Sequence, residues 1–234
     1  MRLVRLDPDT AYVNDMLWLP RRRINEGALK LALQYYTQKG GGMAIERLWD
    51  STDSHLIVPR EFYSPESYPD FGFPFVDLNP RSFPTTNISD RITLDASRGQ
   101  VDAYNALSSA RTGILNLAPG KGKTVLACKL IGERRTPTLI VVHNTYLMEQ
   151  WKERIEHFLE MPVKEKLGVI QGKKFDWERP VTLAMINTLA LRAKEGDIPP
   201  EFSFYFGQVF YDEVHHLSAP LFAQTAPLVR GSRY

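Results

Sequence analysis

The run Leu115-Asn116-Leu117-Ala118-Pro119-Gly120-Lys121-Gly122-Lys123-Thr124 takes an apolar segment into a short glycine-bearing loop, and helix-forming residues follow directly. A polyphosphate needs several backbone N–H groups converging on it. Backbone without Cβ bulk can crowd in that closely, so Gly120 and Gly122 have a steric reason to be there. The helix that starts where the loop ends adds the positive end of its dipole. In that arrangement Pro119, Gly120, Lys121 and Gly122 form the cradle, Lys123 reaches the β- and γ-phosphates of ATP, and the Thr124 hydroxyl holds Mg²⁺. The strict pattern G-x-x-x-x-G-K-[ST] has glycine where this chain has Leu117, and Gly-Lys-Thr alone is as easily a surface turn. The assignment therefore rests on what surrounds the loop.

A second stretch supplies that context. Phe206-Gly207-Gln208-Val209-Phe210-Tyr211 reads as an apolar strand and ends in Asp212-Glu213-Val214-His215-His216. In an open parallel sheet, ligands bind beyond the carboxyl ends of the strands, the edge at which the phosphate loop also begins. Asp212 then anchors Mg²⁺, and Glu213 orients or deprotonates an attacking water. An isolated Asp-Glu pair is usually a solvated turn, but the strand before it and its wide separation from Lys123 favour the chemical reading. Adjacent histidines do not project toward one metal, so His215-His216 is not read as a zinc site.

From about residue 90 onward short apolar strands alternate with amphipathic helices, the sign of an α/β domain with a parallel sheet covered on both faces. The spacing predicts helices over Gln100–Ser109, Lys123–Glu133 and Tyr146–Leu159. It predicts strands over Gly113–Leu117, Thr138–Val142, Leu167–Ile170, Val181–Ile186 and Val209–Tyr211. A chain of 234 residues with 43% hydrophobic and 24% charged residues can bury such a core unaided. Its single cysteine, Cys128, excludes an internal disulfide and reads as a small buried residue in a reducing compartment. The chain has no apolar run of membrane-spanning length and no signal-peptide block, which makes a cytoplasmic protein, in the host cytoplasm if viral, the expectation. Net charge is only +2, so any nucleic-acid site must be a local patch.

Upstream, residues 1–62 read as a small α+β unit of β-α-β-β order: a strand over Ala11–Leu19, a helix from an Asn25 cap through Tyr36, and strands at Met43–Leu48 and His55–Val58. Arg21-Arg22-Arg23 is a candidate phosphate grip, although arginine runs are mostly solvated surface. Residues 63–89 are rich in Pro and aromatics and read as a linker that packs along its neighbour, leaving 90–234 as the larger domain.

Ala118–Thr124 and Asp212–His215 together resemble motifs I and II of the superfamily 2 DExH-box helicases, in the XPB/UvsW-like, bacteriophage-type style. The resemblance covers about Asp90 to the end and implies a RecA-like P-loop domain, with His215 as the last letter of the DExH box, coupling the nucleotide site to the nucleic-acid side. His143-Asn144-Thr145, following the strand Thr138–Val142, is similar to motif Ia and implies contact with a nucleic-acid backbone. Val181–Leu189 is similar to the segment holding motif Ib. Arg98-Gly99-Gln100 supplies the arginine and glutamine of the family's adenine-reading element but lacks its aromatic.

The family's Ser/Thr-Ala-Thr strand and second RecA-like domain, which provides an arginine finger, lie beyond Tyr234. The resemblance thus implies the N-terminal part of an ATP-dependent DNA helicase or translocase, which binds ATP with little turnover by itself and acts on duplex, branched or single-stranded DNA. The N-terminal unit is similar to the accessory domains of phage helicases that grip DNA. Two alternatives remain open: a nucleotide-gated nucleic-acid-binding module, and the duplex-translocating motor of a restriction or remodelling complex.

Overall fold

A computed structural model of the chain describes residues 6–14, 16–39, 42–63, 71–79, 82–214 and 225–233. The chain divides into two compact units, 1–79 and 80–234.

In the first unit β1 (Ala11–Val13) and β2 (Met16–Pro20) form an antiparallel hairpin. The single strand expected over Ala11–Leu19 is therefore two, broken where Asn14 Oδ1 accepts the Met16 N–H (2.9 Å) and the Trp18 indole N–H (3.1 Å). An asparagine side chain that captures nearby donors in this way competes with the ladder and turns the chain. Helix α1 (Glu26–Ala32) is capped by Asn25 as expected, but it ends before Leu33. The following Gln34–Lys39 is a strand, β3, paired antiparallel with β4 (Gly42–Arg47). Tyr, Tyr and Thr suit a pleated pairing better than a fourth helical turn, and the partner strand decides the matter.

β5 (Asp50–Ser51) and β6 (His55–Pro59) follow, and Phe75–Asp77 forms β7. The sheet order is β5-β6-β2-β1-β7. β7 pairs parallel with β1, so part of the stretch read as a linker is a strand of this unit, and the β-α-β-β reading was too short. The small core of the unit comprises Ala11, Val13, Leu17, Leu19, Leu33, Leu56 and Val58.

The second unit contains α2 (Gln100–Ser109), α3 (Lys123–Arg134), β8 (Thr138–Val142), α4 (Thr145–Phe158), α5 (Val163–Lys166), β9 (Leu167–Gln171) and β10 (Lys174–Asp176). β11 (Val181–Met185), α6 (Ile186–Glu195), α7 (Phe202–Tyr205), β12 (Gln208–Tyr211) and β13 (Ser232–Arg233) complete it. The sheet order is β10-β9-β11-β8-β12-β13, parallel throughout except for β10. β8 is central, and all five of its residues are buried, as a strand covered on both faces must be.

Alternation along the strands feeds two cores. Ile140, Val142, Val181, Leu183 and Phe210 pack with α3 and α4 on one face. Leu139, Val141, Ala184 and Val209 pack with α6 and α7 on the other. Cys128 is buried in the first core, and burial pushes its thiol up to about 12, so it behaves as a small apolar residue.

One expectation fails in this unit. Gly113–Leu117 is not a strand, and Ile114 is exposed. A strand exists only where a neighbouring backbone accepts and donates its hydrogen bonds, and no described strand lies beside this stretch. Among the described residues, no helix is long and apolar enough to cross a membrane.

Candidate functional site

The loop after residues 113–117 is shaped by left-handed glycines. Gly120 has φ +77° and Gly122 φ +96°, backbone that a side chain opposes. A Cβ on Gly122 would also lie 2.4 Å from Gln100 Nε2. Gly122 is the N-cap of α3 and offers no side-chain cap, and no acidic residue occupies the first turn. The first amides of the helix therefore have neither intrahelical nor carboxylate partners, which leaves them for an anion. The helix forms because Leu126, Ala127, Leu130 and Ile131 present one apolar stripe to the sheet. Lys123 is exposed, and its Nζ donates to the Leu117 carbonyl at 2.9 Å, so the lysine lies over its own loop.

Asp212 follows the last residue of β12, its N–H donating to the Val141 carbonyl (3.0 Å) in continuation of the ladder. Its Oδ1 accepts the Glu213 N–H (3.1 Å) and its Oδ2 accepts the Trp151 indole N–H (2.8 Å). Among the described residues no lysine or arginine pairs with Asp212, so its charge is met only by neutral donors. Glu213 is exposed and has φ +54°, a conformation costing a non-glycine residue about 1–3 kcal/mol and concentrated at functional positions. Lys123, Thr124, Asp212 and Glu213 line one cavity of about 360 Å³, together with Trp151, Phe210 and the 113–116 segment.

The donor set fits a magnesium–nucleotide: helix-start amides, a lysine, a hydroxyl and a carboxylate held by two neutral donors. Among the described residues no group of three or more His, Cys, Asp or Glu is placed to hold a metal.

Residues 86–229, well over half of the chain, match the family described as type III restriction enzyme, res subunit. The chain belongs to this res-subunit family. A DNA 3'-5' translocase XPB2 of Sulfurisphaera tokodaii is 33% identical over 147 residues, 63% of this chain and 30% of that protein. A DNA 3'-5' helicase XPB of Kineococcus radiotolerans is 29% identical over 133 residues, 55% of this chain and 23% of that protein. The chain thus spans less than a third of the length of these relatives. The crystal structure of the UvsW helicase from bacteriophage T4 superposes with a TM-score of 0.64 at 15% identity, covering 96% of this chain and 89% of that one. That likeness concerns the fold, and the second unit is RecA-like.

Against this res-subunit frame the remaining candidates separate. Gln100 is buried, and both ends of its amide are engaged: Oε1 accepts the Asp95 N–H (2.9 Å) and Nε2 donates to the Lys121 carbonyl (3.1 Å). It ties the start of α2 to the phosphate loop. Arg98 is mostly exposed and pairs with Asp95 at 3.1 Å.

Asn144 Oδ1 caps α4 through the Leu147 N–H (2.8 Å), and its Nδ2 meets His143 Nε2 (2.8 Å), while Thr145 is exposed at the helix start. Arg21 bonds Glu26 (2.7 Å) and the Thr52 carbonyl (3.0 Å), and Arg23 bonds the Gly72 carbonyl (3.2 Å). Arg21 and Arg23 are thus tied to their own unit, and Arg22 is exposed. His215 and His216 lie outside the described residues. Trp151 is 5% exposed and packs in the core, and no local sequence pattern announces its bond to Asp212.

Proposed function

We propose that the chain is the ATP-binding motor part of an ATP-dependent DNA helicase or translocase, in which nucleotide hydrolysis drives movement along DNA. The observation that carries this reading is the single cavity lined by Lys123 and Thr124 from the loop and by Asp212 and Glu213 from the strand end. The amides at the start of α3 bind phosphate oxygens, and Lys123 meets the β- and γ-phosphates. Thr124 and Asp212 hold Mg²⁺, which when bound neutralises charge on the phosphates. Glu213 orients the attacking water and takes its proton. Arg98 and Gln100 stand on the base side, Gln100 acting first by fixing the loop through Lys121. His215 couples this site to the DNA side, and His143, Asn144 and Thr145 carry the DNA contact at the start of α4.

A second RecA-like domain of the same polypeptide supplies the arginine finger, in keeping with relatives more than three times longer than the matched segment. The N-terminal unit assists in holding duplex or branched DNA. The site of action is the cytoplasm, or the host cytoplasm for a viral protein.

The test is ATP turnover by the protein carrying both motor domains, with and without DNA. Glu213→Gln is expected to abolish most DNA-stimulated turnover while nucleotide still binds; undiminished turnover would remove Glu213 from its role. A second reading, translocation on duplex without strand separation, is favoured by the relative named a translocase. Triplex displacement without strand displacement would establish it.

A further inference from the structure

Asp212 is held by a residue whose chemistry is unusual for that task. The Trp151 indole N–H donates to Asp212 Oδ2 at 2.8 Å across 61 residues of sequence, and Trp151 is 5% exposed within the core that joins α3, α4 and the sheet. Two properties of the indole matter. It is a donor only and cannot take or lose a proton near neutral pH. It is also neutral, so it fixes the carboxylate without cancelling the charge that a cation needs; a lysine in its place would compete with the metal.

The ring is itself fixed, because Met148, Trp151 and Ile155 are the buried stripe of α4. Trp151 lies six residues beyond Thr145, about 9 Å along the helix axis. The same rigid element thus begins at the His143–Thr145 loop and ends its lever on Asp212.

We propose that Trp151 is a positioning residue for the magnesium–nucleotide site: its indole N–H holds Asp212 in the orientation that receives the cation, and makes that orientation depend on where α4 lies. This rests on the functional reading above. Trp151 lines the edge of the same cavity, and the role assigned to it is exerted through its bond to Asp212.

The 234-residue chain is titrated with ATP in Mg²⁺ and in EDTA, as wild type, Trp151→Phe, Asp212→Asn and the double variant. Trp151→Phe keeps a buried aromatic ring and removes the donor. The expected result is a loss of roughly three- to tenfold in the Mg²⁺-dependent gain in affinity, less than a full hydrogen bond to a charged group because the lost contact acts on the cation only through Asp212, with metal-free affinity little changed. In the Asp212→Asn background the same substitution should cost nothing further, because both changes act on one contact. A packing role alone would weaken binding in both media and add to Asp212→Asn. If Trp151→Phe does not fold, the benzothiophene isostere of tryptophan, with sulfur for N–H, retains the shape and is expected to show the same loss.

A variant whose Mg²⁺ dependence equals that of a wild type that does bind would overturn this inference alone. A wild-type chain without Mg²⁺-dependent ATP binding would overturn the functional reading, and the inference with it.

Discussion

At the scale of single residues, two kinds of position differ in how openly the sequence displays them. Lys123, Thr124, Asp212 and Glu213 were legible because phosphate chemistry needs those side chains next to glycine or at a strand end, and local sequence carries both conditions. The Trp151–Asp212 bond was not, since a contact between residues 61 apart leaves no local pattern, and a buried tryptophan is ordinarily core. The engagement of Gln100 with Lys121 was hidden for the same reason.

Another tertiary contact of this kind makes a pH prediction. The Tyr104 hydroxyl donates to Glu133 beside Lys129, which also pairs with Asp90 (3.2 Å). Burial first, and then the Glu133 carboxylate, push the Tyr104 phenol up to about 12 from 10.0. Folding therefore favours the protonated phenol. Its contribution is complete below pH 10 and is lost as pH rises toward about 12. Glu133 behaves oppositely: the Tyr104 and Lys129 bonds hold it below 4.5, so its contribution is present above that value and lost on acidification through the lower folded value. Tyr104→Phe should flatten the alkaline limb of stability measured by urea unfolding between pH 9 and 11.5; a limb identical to wild type would show that the phenol is not linked to folding.

At the scale of elements, α2, α3, β8 and β12 were legible because strong periodicity or a continuous apolar run coincided with a cap or a turn. Gln34–Lys39 and Gly113–Leu117 were misread for a common reason. Strand character is settled by a partner elsewhere in the chain: β3 has one in β4, and the 113–117 stretch has none among the described strands.

Close backbone approach is equally invisible in sequence. A Cβ on Gly231 would lie 2.4 Å from the carbonyl carbon and oxygen of Gly207, where β13 meets β12. Backbone atoms in a sheet cannot swing aside as a flexible side chain would. Gly231→Ala should therefore cost about 1–3 kcal/mol, the usual cost of overpacking. A urea midpoint at or above that of wild type would contradict this.

At the scale of the molecule, the two units own separate cores, one around Leu17 and Leu56 and the others flanking the parallel sheet. Leu17 is fully buried, so Leu17→Ala should destabilise the first unit by about 2–5 kcal/mol. ATP affinity should stay within about twofold, because the described residues lining the nucleotide cavity all belong to the second unit. Loss of both together in calorimetry and nucleotide titration would contradict that separation.

The account as a whole depends on loop and strand end serving one triphosphate. The most direct measurement is the affinity of the 234-residue chain for ATP in Mg²⁺, compared with that of Lys123→Ala. Removing a charged hydrogen-bond donor to phosphate should weaken binding by roughly 10- to 100-fold. Equal affinities for the two proteins would contradict the site.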